Sequence, residues 1–169
     1  MAVFDKELYM RLQNKNIIIT GGASGIGLAT VTRCLQEGAN VVIADIASSQ
    51  GGAQARTLEG QYTGRCLFVA TDVTDTAQVD ALLQRTVDDL GHVDAVFNNA
   101  GIGGSCPAQD YTDADFLRII DINLNGVFRV ARAALRHMLP RGQGSIINCA
   151  SILGALGQTQ TAAYSAAKG

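Results

Sequence analysis

The sequence predicts an α/β fold built on a doubly wound parallel sheet, and three observations predict it. Short apolar runs recur along the 169 residues, and most lack the apolar–polar alternation of a half-exposed strand. That is the pattern of strands buried on both faces of a parallel sheet. Segments with apolar residues at helical spacing separate the runs, so strand and helix alternate as right-handed crossover units. A glycine cluster stands directly after the first run, at the point where such sheets open onto a ligand crevice. Hydrophobic residues make up 47% of the chain, enough for a core, which excludes wholesale disorder.

The strands are residues 16–20 (NIIIT), 40–44 (NVVIA), 66–70 (CLFVA), 93–98 (VDAVFN) and 144–149 (GSIINC). A helix starts at about Gly25. Another covers 76–90, with Val79, Leu82, Leu83, Val87 and Leu90 on one face. Asp75 and Gln78 resemble a capping box before it. Thr112 with Asp115 opens a longer helix in the same manner, running to about Met138. On that helix Arg118, Asp121, Asn125, Arg129, Arg132 and Arg136 form one narrow polar stripe, and almost everything else is apolar. A helix apolar over most of its circumference needs cover on two sides. The sheet supplies one, and a second subunit is expected to supply the other. Charged residues make up only 17%, against about 25% in ordinary domains, which points the same way, to a homo-oligomer (dimer or tetramer). Asn123 breaks the pattern by falling opposite the polar stripe. A buried amide costs roughly 1–3 kcal/mol unless hydrogen-bonded. It either satisfies a bent backbone or aims a polar group at a site, and the residues leave both readings open.

Lys and Arg number 13 against 15 Asp and Glu, for a net charge of −2. No basic footprint for nucleic acid or an anionic membrane results. No apolar run approaches the roughly 18 residues of a membrane span, and residues 1–15 contain no secretory h-region. Cys34, Cys66, Cys106 and Cys149 have neither each other nor histidine at metal-ligand spacing. They are expected to be reduced, mostly buried thiols of a cytoplasmic protein without a metal site.

The loop 20–27 reads Thr20-Gly21-Gly22-Ala23-Ser24-Gly25-Ile26-Gly27. Its glycines permit a tight turn and let backbone N–H groups approach a pyrophosphate, whose charge the following helix dipole favours. In a strand–turn–helix setting this outweighs the alternative of an ordinary turn. Asp45 ends the second strand about 20 residues on, where an acidic side chain accepts hydrogen bonds from ribose hydroxyls and repels a 2′-phosphate. No Arg or Lys lies in the loop or directly after Asp45, so NAD is favoured over NADP. Asp72 follows the third strand, and Asn98-Asn99-Ala100-Gly101 follows the fourth, at the same crevice, although turn chemistry alone also accounts for the latter. Ser151 comes after the fifth strand. Tyr164 and Lys168, four apart, share a helical face. An ammonium near a phenol stabilises the phenolate, and such a tyrosine exchanges a proton with an alcohol or carbonyl oxygen.

Together these residues resemble the short-chain dehydrogenase/reductase family, from about Asn14 to Gly169. The TGxxxGxG loop lies at 20–27, NNAG at 98–101 and Asn123 within Asn-Leu-Asn-Gly, with Ser151 and Tyr164-Ser-Ala-Ala-Lys168 completing the set. The resemblance implies a Rossmann sheet in order 3-2-1-4-5 and a nicotinamide cofactor. It makes Tyr164 the general acid/base, with Lys168 on the nicotinamide ribose and Ser151 on the substrate oxygen. It also implies that Asn123 holds a water in a proton relay from Lys168. It places Gly21, Ser24, Gly25, Ile26, Gly27, Asp45, Ile46, Asp72, Val73, Asn99, Ala100 and Gly101 at the cofactor, together with Tyr164 and Lys168. The implied activity is NAD-dependent interconversion of a secondary alcohol and a ketone. An NADPH-dependent 3-oxoacyl-type reductase and a non-catalytic NAD-binding scaffold are the alternatives. Pocket candidates Ile102, Gly103, Gly104, Ile152, Leu153 and Gln158 are apolar or neutral, so the expected substrate is a small neutral alcohol or ketone. Members of that family are longer. Residues 1–169 are therefore expected to form a single NAD(P)-binding domain truncated after Lys168, without its C-terminal strands.

Overall fold

The computed structural model describes residues 10–169. The first nine residues of the segment read above as lacking a secretory signal lie outside the described residues. Five strands, β1 (Asn16–Thr20), β2 (Asn40–Asp45), β3 (Cys66–Ala70), β4 (Ala95–Asn98) and β5 (Ser145–Asn148), pair in parallel in the order β3-β2-β1-β4-β5. The chain starts in the middle of the sheet and winds outward on both sides. This leaves a topological switch point between β1 and β4, the place where such sheets bind ligands. The helices are α1 (Gly25–Gln36), α2 (Gly51–Leu58), α3 (Thr76–Leu90), α4 (Asp113–Ile120), α5 (Gly126–Met138) and α6 (Ala162–Lys168).

Alternate residues of a strand face opposite sides, and here both sides are covered. Ile18, Val42 and Val96 pack with Leu82 and Leu83 of α3 and Val130 and Ala134 of α5. Ile17, Ile19, Val41 and Ile43 pack with Val31 and Leu35 of α1 and Ala55 and Leu58 of α2. The unbroken apolar runs within β1 (Ile17–Ile19) and β2 (Val41–Ala44) follow from this double cover. Burial on both faces does not extend to the outer strands: β3 is half-buried and β5 largely exposed, because each has a neighbour on one side only.

Helix α3 begins and ends where its periodicity places it. Asp75 caps it, accepting from the Ala77 N–H at 2.8 Å and the Gln78 N–H at 3.2 Å. The return arm differs from a capping box. Gln78 donates to the Asp75 carboxylate and accepts from the Asp72 N–H, each at 2.9 Å, so the cap also clamps the turn after β3. The segment 112–138 is not the single α-helix that its periodicity predicts. A π-helical turn, Asp121–Asn125, separates α4 from α5. A π turn holds one extra residue, and this one carries Asn123, whose Oδ1 accepts from the Ile102 N–H and whose Nδ2 donates to the Ile102 carbonyl, both at 2.8 Å. Of the four free thiols only Cys66 is buried, and Cys34, Cys106 and Cys149 are half-buried, fewer than expected. Burial pushes the Cys66 thiol up to about 11.

Candidate active site

The C-terminal edge of the sheet collects the candidate residues. The loop after β1 turns on Gly21 (φ +64°) and Gly25 (φ +53°). A side chain at Gly27 would collide with the Gly21 carbonyl, whereas the side-chain position at Gly25 faces open space. Ser24 precedes α1 without a side-chain cap, and no acidic residue stands in the first turn. The first backbone bond of the helix runs from the Leu28 N–H to the Ser24 carbonyl at 3.0 Å. The N–H groups of Gly25, Ile26 and Gly27 are thus the orphan donors of a helix start, suited to an anion.

Asp45 closes β2 beside this loop. One of its oxygens accepts from the Ala23 N–H at 3.0 Å and the other from the Ile46 N–H at 2.8 Å. Each oxygen keeps a second acceptor position. Asp72 accepts from the Thr74 N–H and hydroxyl through one oxygen, at 2.9 and 2.7 Å. Asn99 turns toward the protein: its Nδ2 donates to the Thr20 and Gly21 carbonyls at 3.0 and 3.3 Å. The Thr20 hydroxyl receives the N–H groups of Asn99 and Ala100, each at 3.0 Å. This pair stitches the end of β4 to the glycine loop. A cleft of about 780 Å³ is lined by Gly21, Asp45, Ile46, Asp72, Val73, Ala100 and Gly101.

The opposite wall of the cleft, which the motifs did not foretell, comes from α4 and the π turn: Ala114, Leu117, Arg118, Asp121 and Asn125. Helical spacing groups Arg118 and Asp121 in a stripe but cannot say which way the stripe faces. Hydrogen bonding from Arg129, at 2.7 Å, holds the Asp121 carboxyl below the usual carboxylate range.

The second half of the site comes from β5 and α6. Lys168 Nζ donates to the Cys149 carbonyl at 2.7 Å and stands 6.0 Å from the centroid of the Tyr164 ring. Cys149 directly follows β5, so the ammonium lies at the same sheet edge as the glycine loop. It is two strands away, about 10 Å at the usual strand spacing. Ala163 and Ala167 seat α6 against Ile119 of α4. Ser151 Oγ accepts from the Leu153 N–H at 3.2 Å, which leaves its own proton free to donate. The Ser151 and Tyr164 hydroxyls do not hydrogen-bond to each other. No group of side chains able to hold a metal ion, and no helix long and apolar enough to cross a membrane, occurs among the described residues.

The profile of the short chain dehydrogenase family matches residues 15–169. The (5R,7aS)-5-hydroxy-7a-methyl-1-oxo-2,3,5,6,7,7a-hexahydro-1H-indene-carboxyl-CoA reductase of Mycobacterium tuberculosis is 45% identical over 99% of this chain and 66% of its own length. The cis-4-hydroxycyclohexanecarboxylate dehydrogenase of Sinomonas cyclohexanicum is 41% identical over 89% of this chain and 60% of its own length. Among solved structures, a short chain dehydrogenase from Mycobacterium smegmatis superposes with a TM-score of 0.88 at 42% identity, covering 93% of this chain and 66% of that one. The chain therefore spans 60% and 66% of the length of these two curated relatives.

Proposed function

Because the chain belongs to the short chain dehydrogenase family, we propose that the protein interconverts a secondary alcohol and a ketone, with NAD as the cofactor. One observation carries the cofactor reading. The start of α1 has no cap, opens onto space at Gly25 and stands beside the Asp45 carboxylate. These residues fit a dinucleotide: the N–H groups of Gly25, Ile26 and Gly27 take the pyrophosphate, and Asp45 takes the adenosine ribose hydroxyls. Bound nicotinamide supplies or accepts the hydride.

Tyr164 protonates the carbonyl oxygen in one direction and takes the hydroxyl proton in the other. The Lys168 ammonium stabilises negative charge on the phenol oxygen and is itself held by the Cys149 carbonyl. Ser151 donates to the substrate oxygen as charge develops there. Asn123 fixes the loop after Gly101 through Ile102, and its relay role rests on the family resemblance. The substrate class is an alicyclic secondary alcohol or ketone, the chemistry named in both relatives. Ile102, Gly103 and Gly104, which line a cavity of about 230 Å³, would meet its ring. An NADPH-dependent reductase is the second reading. Arg118 favours it, since it lines the same cleft as Asp45 and forms no ion pair among the described residues.

Assembly belongs to the same proposal. Leu124, Phe128 and Leu135, four and seven apart, run exposed along the π turn and α5, and exposed Leu139 directly follows α5. Such a row seals against a second copy of the chain. Fluorescence titration of the whole protein with NADH and NADPH, followed by oxidation assays on cyclic and acyclic secondary alcohols, tests the reading. NADH should bind at least about tenfold tighter, a gap of about 1.4 kcal/mol, and Asp45→Ala should narrow it. Tighter NADPH binding would favour the second reading, and cofactor binding without oxidation of any alcohol would favour a scaffold.

A further inference from the structure

Two non-glycine residues among those described have a positive φ, Asn14 and Gln160. Asparagine tolerates the left-handed region, whereas glutamine there is disfavoured and persists only where its surroundings over-determine it. At Gln160 (φ +65°) the surroundings do so through one loop. Its carbonyl accepts from the Cys106 N–H at 2.9 Å, and its side-chain Oε1 accepts from the Ser105 hydroxyl at 2.8 Å. The same loop is held at its other end by Asn123, which grips both backbone groups of Ile102. Gln160 lies immediately before the turn into α6, and Tyr164 follows one helical turn later.

We propose that Gln160 is a positioning residue: its left-handed backbone and its paired bonds to Ser105 and Cys106 lock the loop 102–106 to the helix that carries Tyr164. The inference rests on the reading of Tyr164 as the group that exchanges the proton. Residues 102–106 line the 230 Å³ cavity assigned to the substrate. Locking them to α6 sets the distance between a bound carbonyl and the phenol. An error of about 1 Å in such a distance can lower the rate about 100-fold. The loop's own contacts do not fix that distance, because both ends of the loop are held by other elements.

The test compares Gln160→Ala, Gln160→Glu, Ser105→Ala and the Gln160→Ala/Ser105→Ala double variant in the whole protein. Amide hydrogen exchange of residues 102–106 is measured together with kcat, KM and NADH affinity. Ser105→Ala leaves the strained backbone untouched, so the test survives if Gln160→Ala folds poorly. Gln160→Ala and Ser105→Ala should each lower kcat about 10- to 100-fold, with KM and NADH affinity within about twofold and faster exchange at Cys106. Glu keeps the acceptor oxygen and should restore kcat to within about threefold. The double variant should be no worse than the more impaired single variant, because both remove one interaction. A kcat within twofold of wild type in Ser105→Ala, additive losses in the double variant, or a Glu variant as impaired as Ala would overturn the proposal. Exchange reads the lock whether or not Tyr164 is the acid/base, and turnover of Tyr164→Phe reads Tyr164 whether or not the lock exists.

Discussion

At the N-terminal edge of the sheet, the Asp94 carboxylate accepts from the Asn16 N–H at 2.9 Å and meets His92 at 3.0 Å, with Arg141 at 3.5 Å and Lys15 at 3.8 Å. Asn16 donates to the Leu90 and His92 carbonyls and accepts from Asn40, which in turn accepts from the Arg65 N–H. At the C-terminal edge the same kinds of group are left open. The start of α1 has no cap, Asp45 and Asp72 keep acceptor capacity, and the Tyr164 hydroxyl forms no hydrogen bond among the described residues. Buried polar groups are ordinarily paired. An edge whose groups pair among themselves holds the fold, and one whose groups stay open is arranged for a ligand. The contrast recurs between helices on the open edge itself, where α3 is capped by Asp75 and α1 is not.

Three changes break this contrast, each at a chosen end. The largest effect is expected at the closed edge. Asp94→Ala removes the partner of a buried N–H and of the cations around it, and should lower stability by about 2–4 kcal/mol in denaturant titrations, with NADH affinity unchanged. Burial raises the Asp94 carboxyl, but the Asn16 N–H, the charges of His92 and Lys15 and the Arg141 hydrogen bond outweigh it and hold it below its ordinary value of 3.8. Its contribution is therefore present above that value and lost as pH falls through the lower, folded-state value. Wild-type stability should drop more steeply below about pH 4 than that of Asp94→Asn, as followed by unfolding at stepped pH.

At the open edge, Gly27→Ala pushes a methyl group into the Gly21 carbonyl. Stability should fall by about 1–3 kcal/mol, the usual cost of overpacking, and NADH titration should show weakened binding as the loop shifts. An affinity equal to wild type would mean that the glycine loop does not shape the nucleotide site. The smallest effect belongs to the capped helix. Asp75→Ala should cost about 1 kcal/mol of stability in thermal melts and leave NADH affinity alone.

The glycine loop and the alternation of strand and helix were legible in the residues because each has a local signature, whereas the strand order came from the family resemblance. Uninterrupted apolar runs mark β1 and β2, and the Asp75 cap with its 3.6-residue period marks α3. The π turn left no such mark: five residues are too few for a period, and only the misplaced amide of Asn123 betrayed it. Helix α2 was equally silent, since Gly51–Leu58 opens on two glycines, the first of them packed against Phe68 where a side chain would collide. The resemblance places Asn99 at the cofactor, and the residues alone did not show that its Nδ2 also donates to the Thr20 and Gly21 carbonyls, a partnership made across residues far apart in the chain. Arg118 on the cleft wall and Gln160 against Ser105 depend on tertiary contacts in the same way.

Replacing the Tyr164 hydroxyl with hydrogen probes the open edge at its chemical centre. In steady-state assays of the whole protein, Tyr164→Phe should lower kcat by about 10²- to 10⁴-fold, with NADH affinity and melting temperature kept. Turnover equal to wild type in a folded, NADH-binding variant would contradict the assignment of the proton to that hydroxyl.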